Sequence, residues 1–216
     1  MRHFIFCHGF GFNYHFWDNL ASYFVNGKCT FLDLGYFKEP SYCIDTLEGE
    51  IIGVGHSLGV LKLLKLQERF DCLIGLNGFV NFLGNDLCMR NKRQLELEIL
   101  KKNFQKNPRI TLKNFYKRCG VSSFTQFAKL EELDLEAVMS DLELLTLNFA
   151  PPSIPMLIIA AKNDVIVPPE ITHDNFPPYS NVEVDIIDKG QHGLGFLEAS
   201  YVYKSIKEFV DERFAD

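Results

Sequence analysis

Short apolar runs recur in residues 1–78 and 151–216, and segments with helical spacing separate them. A continuous apolar run bounded by turn residues predicts a buried strand, whereas apolar residues three and four apart predict a helix. Strands that alternate with helices imply a mostly parallel sheet. We therefore predict an α/β fold with about six strands. The runs that predict strands are Arg2–Cys7, Cys29–Asp33, Ile51–Val54, Cys72–Leu76, Pro155–Ala161 and Val182–Ile187.

The pattern changes between residues 79 and 150, where strand signals disappear and helical spacing dominates. We predict that residues 79–150 are a helical cap inserted into a core formed by residues 1–78 and 151–216. Two further helices are predicted in that core. They are Tyr14–Val25, with Asn13 as its N-cap, and Phe196–Phe214.

The most informative motif is Gly55-His-Ser57-Leu-Gly59, which follows a predicted strand and precedes leucines with helical spacing. Gly-x-Ser-x-Gly between a strand and a helix is the pattern of a nucleophile elbow. Side chains at Gly55 and Gly59 would obstruct so tight a turn. We expect the turn to expose the Ser57 hydroxyl at the C-terminal edge of the sheet. The alternative is a purely structural Gly-rich turn.

A serine hydroxyl becomes a good nucleophile when a histidine, oriented by a carboxylate, removes its proton. In hydrolases with this elbow, the chain order is serine, then acid, then histidine. His192 lies in a glycine-flanked loop after the last predicted strand and is the predicted base. Asp164 follows the preceding strand and is the predicted acid, with Asp174 and Asp188 as alternatives. His8 is expected to be structural.

Composition narrows the classes of function. A formal charge of −6 disfavours nucleic acid as a partner, and no apolar stretch is long enough to span a membrane. Six scattered cysteines without a C-x-x-C pair, and no signal peptide, favour reduced thiols in the cytoplasm. The sequence also lacks nucleotide-binding glycine motifs and zinc-ligand spacing. We therefore expect neither a cofactor nor a metal.

Charge is unevenly distributed within the predicted cap. Residues 90–118 carry ten basic and two acidic side chains, and residues 131–143 carry six acidic side chains and no basic one. Such runs are often solvated helix faces. The alternative is a docking patch that attracts an acidic partner. The predicted partner-binding residues are Arg90, Lys92, Arg93, Lys101 and Lys102.

Three motifs together resemble the α/β-hydrolase superfamily: His8-Gly-Phe-Gly-Phe-Asn13 with Trp17 nearby, the Ser57 elbow, and Gly190-Gln-His192. Within it, they are most similar to the pimeloyl-[acyl-carrier-protein] methyl ester esterases of biotin synthesis. The resemblance implies an α/β-hydrolase fold and a triad of Ser57, Asp164 and His192. It also implies an oxyanion hole formed by the backbone N–H groups of Phe10 and Leu58. In that family, basic cap residues grip the acidic carrier protein.

The resemblance implies a serine carboxylesterase that hydrolyses an acyl methyl ester, with pimeloyl-acyl-carrier protein methyl ester as the substrate. One alternative is a hydrolase of small esters or thioesters that needs no carrier. Another is a hydrolase-like binding protein without catalytic activity. Cap phenylalanines are expected to line an acyl channel; they are Phe79, Phe82, Phe104, Phe115, Phe124 and Phe127.

Overall fold

A computed structural model describes residues 1–25, 27–44, 48–66, 69–122, 127, 129–178 and 181–214. Six strands form one sheet, and each neighbouring pair is parallel. The prediction of a mostly parallel sheet of about six strands is confirmed. The strands are β1 Arg2–Cys7, β2 Lys28–Leu32, β3 Glu50–His56, β4 Cys72–Leu76, β5 Met156–Ala161 and β6 Val182–Ile187.

The spatial order of the strands is β2-β1-β3-β4-β5-β6. The chain therefore runs outward from β1 to β2, and then returns to the other side of β1 to begin β3. In open α/β sheets, ligands bind beyond the carboxyl ends of the strands where the order reverses. Here β1 ends at Cys7 and β3 ends at His56, directly before Ser57. The topology and the elbow motif thus both place the candidate site at the carboxyl ends of β1 and β3.

The inner strands explain the continuous apolar runs of the sequence. Every residue of β4 and β5 is buried, and so is every residue of β3 after Glu50. Helices that cover both faces of a parallel sheet leave no exposed face for polar side chains. The edge strand β6 is less buried and carries two exposed residues.

Eight α-helices and two short 3₁₀ turns are formed by the described residues. The 3₁₀ turns are Tyr14–Trp17 and Leu130–Glu132. No helix in the described part of the chain is both long and apolar enough to cross a membrane. The helices are α1 Asp18–Ala21, α2 Leu58–Leu66, α3 Leu87–Lys106, α4 Pro108–Arg118, α5 Leu135–Leu144, α6 Pro169–Asn175, α7 Leu194–Leu197 and α8 Ala199–Arg213.

Two predicted helices differ from those observed. The first begins at the predicted N-cap, because the Asn13 side chain accepts a hydrogen bond from the N–H of His15 (3.1 Å). It is nevertheless a 3₁₀ turn followed by α1, and it ends at Ala21 rather than Val25. Val25 is exposed, so burial does not stabilise a further turn. The predicted C-terminal helix is divided into α7 and α8.

The predicted cap region contains α3, α4 and α5, and α3 packs against both of the others. Its helical character agrees with the sequence pattern, while its status as a separate cap stays a prediction. A buried polar link joins it to the sheet side. Asp141 on α5 accepts hydrogen bonds from the Lys62 ammonium of α2 and from the Tyr36 hydroxyl, each at 2.5 Å.

Candidate functional site

The predicted elbow is a sharp turn between β3 and α2. Ser57 has a φ of 52°, a left-handed conformation that is uncommon for a residue with a side chain. Its N–H donates to the carbonyl of Leu76 (2.9 Å), and its carbonyl accepts from the N–H of Val60 (3.1 Å). These bonds hold the turn in a conformation that would otherwise be costly.

The two motif glycines permit this close approach. A Cβ at Gly55 would lie 2.7 Å from the Val60 nitrogen, and a Cβ at Gly59 would collide with the carbonyl oxygen of Cys7. The helix can therefore approach β1 and β3 this closely only where neither position carries a side chain. The steric part of the elbow prediction is confirmed.

Asp164 and His192 meet in the interior. Oδ2 of Asp164 lies 2.7 Å from Nδ1 of His192, and the two residues are only 3% and 1% exposed. Oδ1 of Asp164 accepts the N–H groups of Ile166 (2.7 Å) and Val167 (2.9 Å). A carboxylate at Nδ1 selects the tautomer that carries its proton there. Nε2 is then left with a lone pair, as a general base requires.

The two alternative acids have other partners. The Asp188 carboxylate pairs with Lys162 at the surface (2.9 Å). The Asp174 carboxylate accepts the N–H of Asn85 (2.7 Å). Asp164 is therefore the candidate that meets His192.

The loop of His192 is bound to the residue that precedes Ser57. Nε2 of His56 lies 2.8 Å from the carbonyl oxygen of His192, and the two imidazole ring centroids are 5.0 Å apart. Since a carbonyl only accepts, Nε2 of His56 must carry the hydrogen. Burial lowers the pKa of His56 well below its ordinary value, so this imidazole is neutral. This contact places the predicted base beside the elbow.

Asn77 joins the same loop to the sheet, and sequence reasoning missed it. Its side-chain nitrogen donates to the carbonyls of Gln191 and His192, both at 2.9 Å. Its side-chain oxygen accepts the N–H of Ala161 (2.8 Å), at the end of the strand before Asp164. Asn77 also has a positive φ of 47°, which asparagine tolerates better than most residues. The Asn77-Gly78 pair at a strand end was the available signal.

The predicted oxyanion-hole residues flank the elbow. Leu58 is the first residue of α2, where a backbone N–H has no acceptor within the helix. Phe10 lies in the loop after β1, whose Gly9 packs so closely on His56 that a Cβ would lie 2.6 Å from Nδ1. His8 supports this loop, since its Nε2 accepts the N–H of Leu34 (3.0 Å). The role of the two N–H groups stays a prediction.

Aromatic rings pack against the loops of Phe10 and His192. The ring of Phe10 contacts Phe104 (5.5 Å between centroids) and Phe115 (5.4 Å), and the ring of Phe115 lies 6.3 Å from that of His192. Ser57 itself is only 5% exposed. Phe79 and Phe127 are fully buried, Phe82 is half-buried, and Phe124 lies outside the described residues. The acyl channel stays a prediction.

The end of α4 contacts two loops of the site. The Tyr116 hydroxyl donates to the carbonyl of Gly11, in the loop that carries Phe10. The N–H of Gly193, next to His192, donates to the carbonyl of Cys119 (2.9 Å). The end of α4, within the predicted cap, therefore helps to hold the loops around Ser57.

The predicted docking patch needs a correction at two positions. Arg93 is 6% exposed and donates to the carbonyls of Phe82 and Ile166, so its guanidinium binds groups of the protein interior instead of facing a partner. Lys101 is 7% exposed and pairs with Glu143 (2.8 Å) and Glu98. Neither belongs to an exposed surface. Of the other predicted residues, Lys92 and Lys102 are exposed and Arg90 is half-buried.

No group of three or more His, Cys, Asp or Glu side chains among the described residues is arranged to hold a metal ion.

No protein-family model matches the chain, and no curated protein matches it by sequence. Its structure is nevertheless similar to solved structures over nearly its whole length. An esterase from Exiguobacterium antarcticum has a TM-score of 0.79 at 13% identity, covering 97% of this chain and 92% of that one. A bromoperoxidase from Bacillus anthracis has a TM-score of 0.76 at 17% identity, covering 97% and 91%.

A lipase-esterase related protein from Clostridium acetobutylicum ATCC 824 has a TM-score of 0.70 at 20% identity, covering 96% of this chain and 94% of that one. At sequence identities this low, the structural similarity supports a shared fold but does not determine the substrate. Together with the parallel six-stranded sheet and its flanking helices, these similarities show that the chain has the α/β-hydrolase fold.

Proposed function

We propose that the chain is a serine hydrolase of carboxylic esters, with Ser57 as nucleophile, His192 as base and Asp164 as the orienting acid. The observation that carries the proposal is the buried 2.7 Å contact between Asp164 and His192, in a loop bound to the residue before Ser57. The esterase among the similar structures agrees with this chemistry.

In the proposed reaction, Nε2 of His192 takes the proton of the Ser57 hydroxyl as its oxygen attacks the ester carbonyl. The N–H groups of Phe10 and Leu58 would donate to the oxyanion that forms. The protonated imidazole then gives its proton to the departing alkoxide, and an acyl-enzyme remains. His192 then removes a proton from a water molecule, whose oxygen attacks the acyl carbonyl. The protonated imidazole gives this proton to the Ser57 oxygen as the carboxylic acid leaves, which restores the serine.

Asp164 has two parts in this scheme. Its carboxylate keeps the imidazole in the tautomer with Nδ1 protonated, and it stabilises the imidazolium that forms during attack. Its other oxygen is held by two backbone N–H groups, so it does not need to reorganise as charge develops.

Hydrolysis of short-chain p-nitrophenyl esters tests the proposal. Ser57→Ala should lower kcat by about 10⁶, because removing a triad nucleophile costs this much in a serine protease. Ser200→Ala, at an exposed position, is the control and should leave kcat unchanged. A fluorophosphonate should phosphonylate the Ser57 oxygen of the wild type with loss of fluoride, which adds the mass of the phosphonyl group to the Ser57 peptide. Robust activity retained by Ser57→Ala would show that the mechanism is wrong.

A second candidate is narrower, namely hydrolysis of the methyl ester of a pimeloyl chain bound to acyl carrier protein. Two observations favour it: the motif resemblance given above, and the exposed basic side chains on α3 and α4. After the correction for Arg93 and Lys101, the exposed ones include Lys92, Lys102, Lys106, Arg109 and Lys117. Electrostatic attraction would speed association with an acidic carrier.

Charge reversal separates the two candidates. Lys92→Glu combined with Lys102→Glu should lower kcat/KM for the carrier-bound ester by at least about tenfold and leave a free ester unaffected. Lys204→Glu on α8 is the control outside the predicted cap. Equal effects on both substrates would argue against docking. Rescue of a biotin-requiring strain that lacks its esterase would test the pathway directly.

A further inference from the structure

Two backbone peptide units hold the predicted catalytic acid. Oδ1 of Asp164 accepts the N–H of Ile166 and the N–H of Val167. Each N–H shares a rigid planar unit with the carbonyl of the residue before it. The carbonyls on the far ends of these two units therefore belong to Val165 and Ile166.

Both of those carbonyls accept a hydrogen bond from an arginine of the predicted cap. Nη2 of Arg93, on α3, donates to the Ile166 carbonyl (2.8 Å). Nη2 of Arg118, at the end of α4, donates to the Val165 carbonyl (3.2 Å). Each peptide unit is thus held between a guanidinium on one side and the Asp164 carboxylate on the other.

Arg93 is the better anchored of the two arginines. Its Nε donates to the carbonyl of Phe82 (2.7 Å), and its guanidinium lies 4.1 Å above the Phe82 ring. Burial lowers the pKa of Arg93, an effect that the charges of Glu96 and Asp164 oppose. Because the guanidinium is planar with donors in fixed directions, these contacts leave it a single orientation.

This arrangement has a mechanical and an electrostatic consequence. A rigid peptide fixed at its oxygen is also fixed in the direction of its N–H. A charged donor at the carbonyl polarises the unit, which strengthens the bond that its N–H makes. Both effects act on Oδ1 of Asp164, and they thereby fix the direction in which Oδ2 faces His192.

We propose that Arg93, and more weakly Arg118, are positioning residues that hold Asp164 against His192 through these two peptide units. This inference rests on the proposed function and adds to it that α3 and α4 support the catalytic acid. Neither arginine touches the substrate or the reacting atoms in this scheme.

A double-mutant cycle on hydrolysis of a short p-nitrophenyl ester tests the inference. The four proteins are the wild type, Arg93→Met, Asp164→Asn and the double variant. Arg93→Met should lower kcat by roughly ten- to a hundredfold with little change in KM, since small displacements of catalytic groups can cost this much. In the Asp164→Asn background, the same change should cost less than about threefold, because residues that act as a unit are not additive.

Arg213→Met is a matched control. Arg213 also lies over a phenylalanine ring, that of Phe209 at 3.7 Å, and donates to the Phe209 carbonyl, but it belongs to α8. Its removal should leave kcat unchanged. Thermal unfolding of every variant separates a loss of kcat from a loss of folded protein.

The inference is overturned if Arg93→Met and Arg213→Met affect kcat equally, or if the losses from Arg93→Met and Asp164→Asn multiply. If Arg93→Met does not fold, two other variants replace it, namely Arg93→Lys and Arg118→Met, the latter at an exposed residue. An unchanged kcat in both of them also overturns the inference. A wild type without Ser57-dependent activity would instead refute the proposed function. The two failures are therefore distinguishable.

Discussion

Replacing Asp141 with asparagine removes the carboxylate that joins α5 to α2. The Lys62 and Asp141 side chains are 18% and 6% exposed, so the ion pair is largely shielded from water. Asparagine has nearly the same shape and still offers an oxygen to the Tyr36 hydroxyl. The substitution therefore changes mainly the charge that faces Lys62.

Breaking a buried ion pair from one side costs about 3–5 kcal/mol, because the remaining charge is left without compensation. The partial exposure of Lys62 lets water solvate its ammonium, so we expect the low end, about 3 kcal/mol. For a chain of this length, each kcal/mol lowers Tm by roughly 2–4 °C. Asp141→Asn should accordingly lower Tm by about 6–12 °C.

Urea unfolding followed by circular dichroism measures the change in free energy directly. Lys62→Met in the Asp141→Asn background removes the orphaned charge and should restore at least half of the loss, because the cost lies in the uncompensated ion. Asp185→Asn is the control, since Asp185 also accepts a tyrosine hydroxyl, that of Tyr201 (2.9 Å), but at the surface. It should change stability by no more than about 0.5 kcal/mol.

The reasoning is refuted if Asp141→Asn unfolds at the same urea concentration as Asp185→Asn. It is also refuted if adding Lys62→Met deepens the loss, since the ammonium would then be stabilised by something other than Asp141.

Three further predictions follow from contacts described above. Gly59→Ala should abolish folding or force the elbow apart, because a Cβ there collides with the Cys7 carbonyl oxygen. The yield of folded protein measures the effect, and Gly27→Ala is the control, since the nearest atom to a Cβ at Gly27 is a side-chain carbon at 3.2 Å. Asn77→Ala should lower both Tm and kcat, since it removes the bonds that hold the carbonyls of Gln191 and His192 and leaves the Ala161 N–H without its acceptor; an unchanged kcat would contradict the role assigned to it. Ellman's reagent should react quickly with the two exposed thiols and slowly with the other four, since burial raises the pKa of Cys29 to about 11 and of Cys72 to about 12; rapid reaction of all six would show that the native interior opens easily. The exposed thiols are Cys43 and Cys88.

The strands and the elbow could be predicted because their signals are local. A buried parallel strand needs a continuous apolar run, and the elbow needs glycines two positions on either side of Ser57; both features are visible within a few residues. The meeting of Asp164 with His192 could also be predicted, because parallel strands all place their carboxyl ends at the same edge of the sheet, and both residues follow such ends.

The burial of individual side chains, and hydrogen bonds between residues far apart in sequence, could not be predicted from local patterns in this way. Arg93 carries a charge that the sequence shows, but its burial depends on Phe82 and on the Ile166 carbonyl, 73 residues further along the chain. Its charge alone therefore predicts a docking residue, whereas the structure buries it. The contact of His56 with the His192 carbonyl joins residues 136 apart in sequence, and no local pattern encodes it.

The bonds from the end of α4 to the loops around Ser57 also limit how such a protein could be re-engineered. A chimera that exchanged residues 79–150 for the equivalent part of another protein with the α/β-hydrolase fold would have to recreate a hydroxyl for Gly11 and a main-chain acceptor for Gly193. Without them, the recipient would lose order in its own loops around Ser57 along with the foreign segment. Changing a single buried ring, such as Phe104, would leave both of these bonds in place and should therefore disturb the loops less than transplanting the whole helical segment.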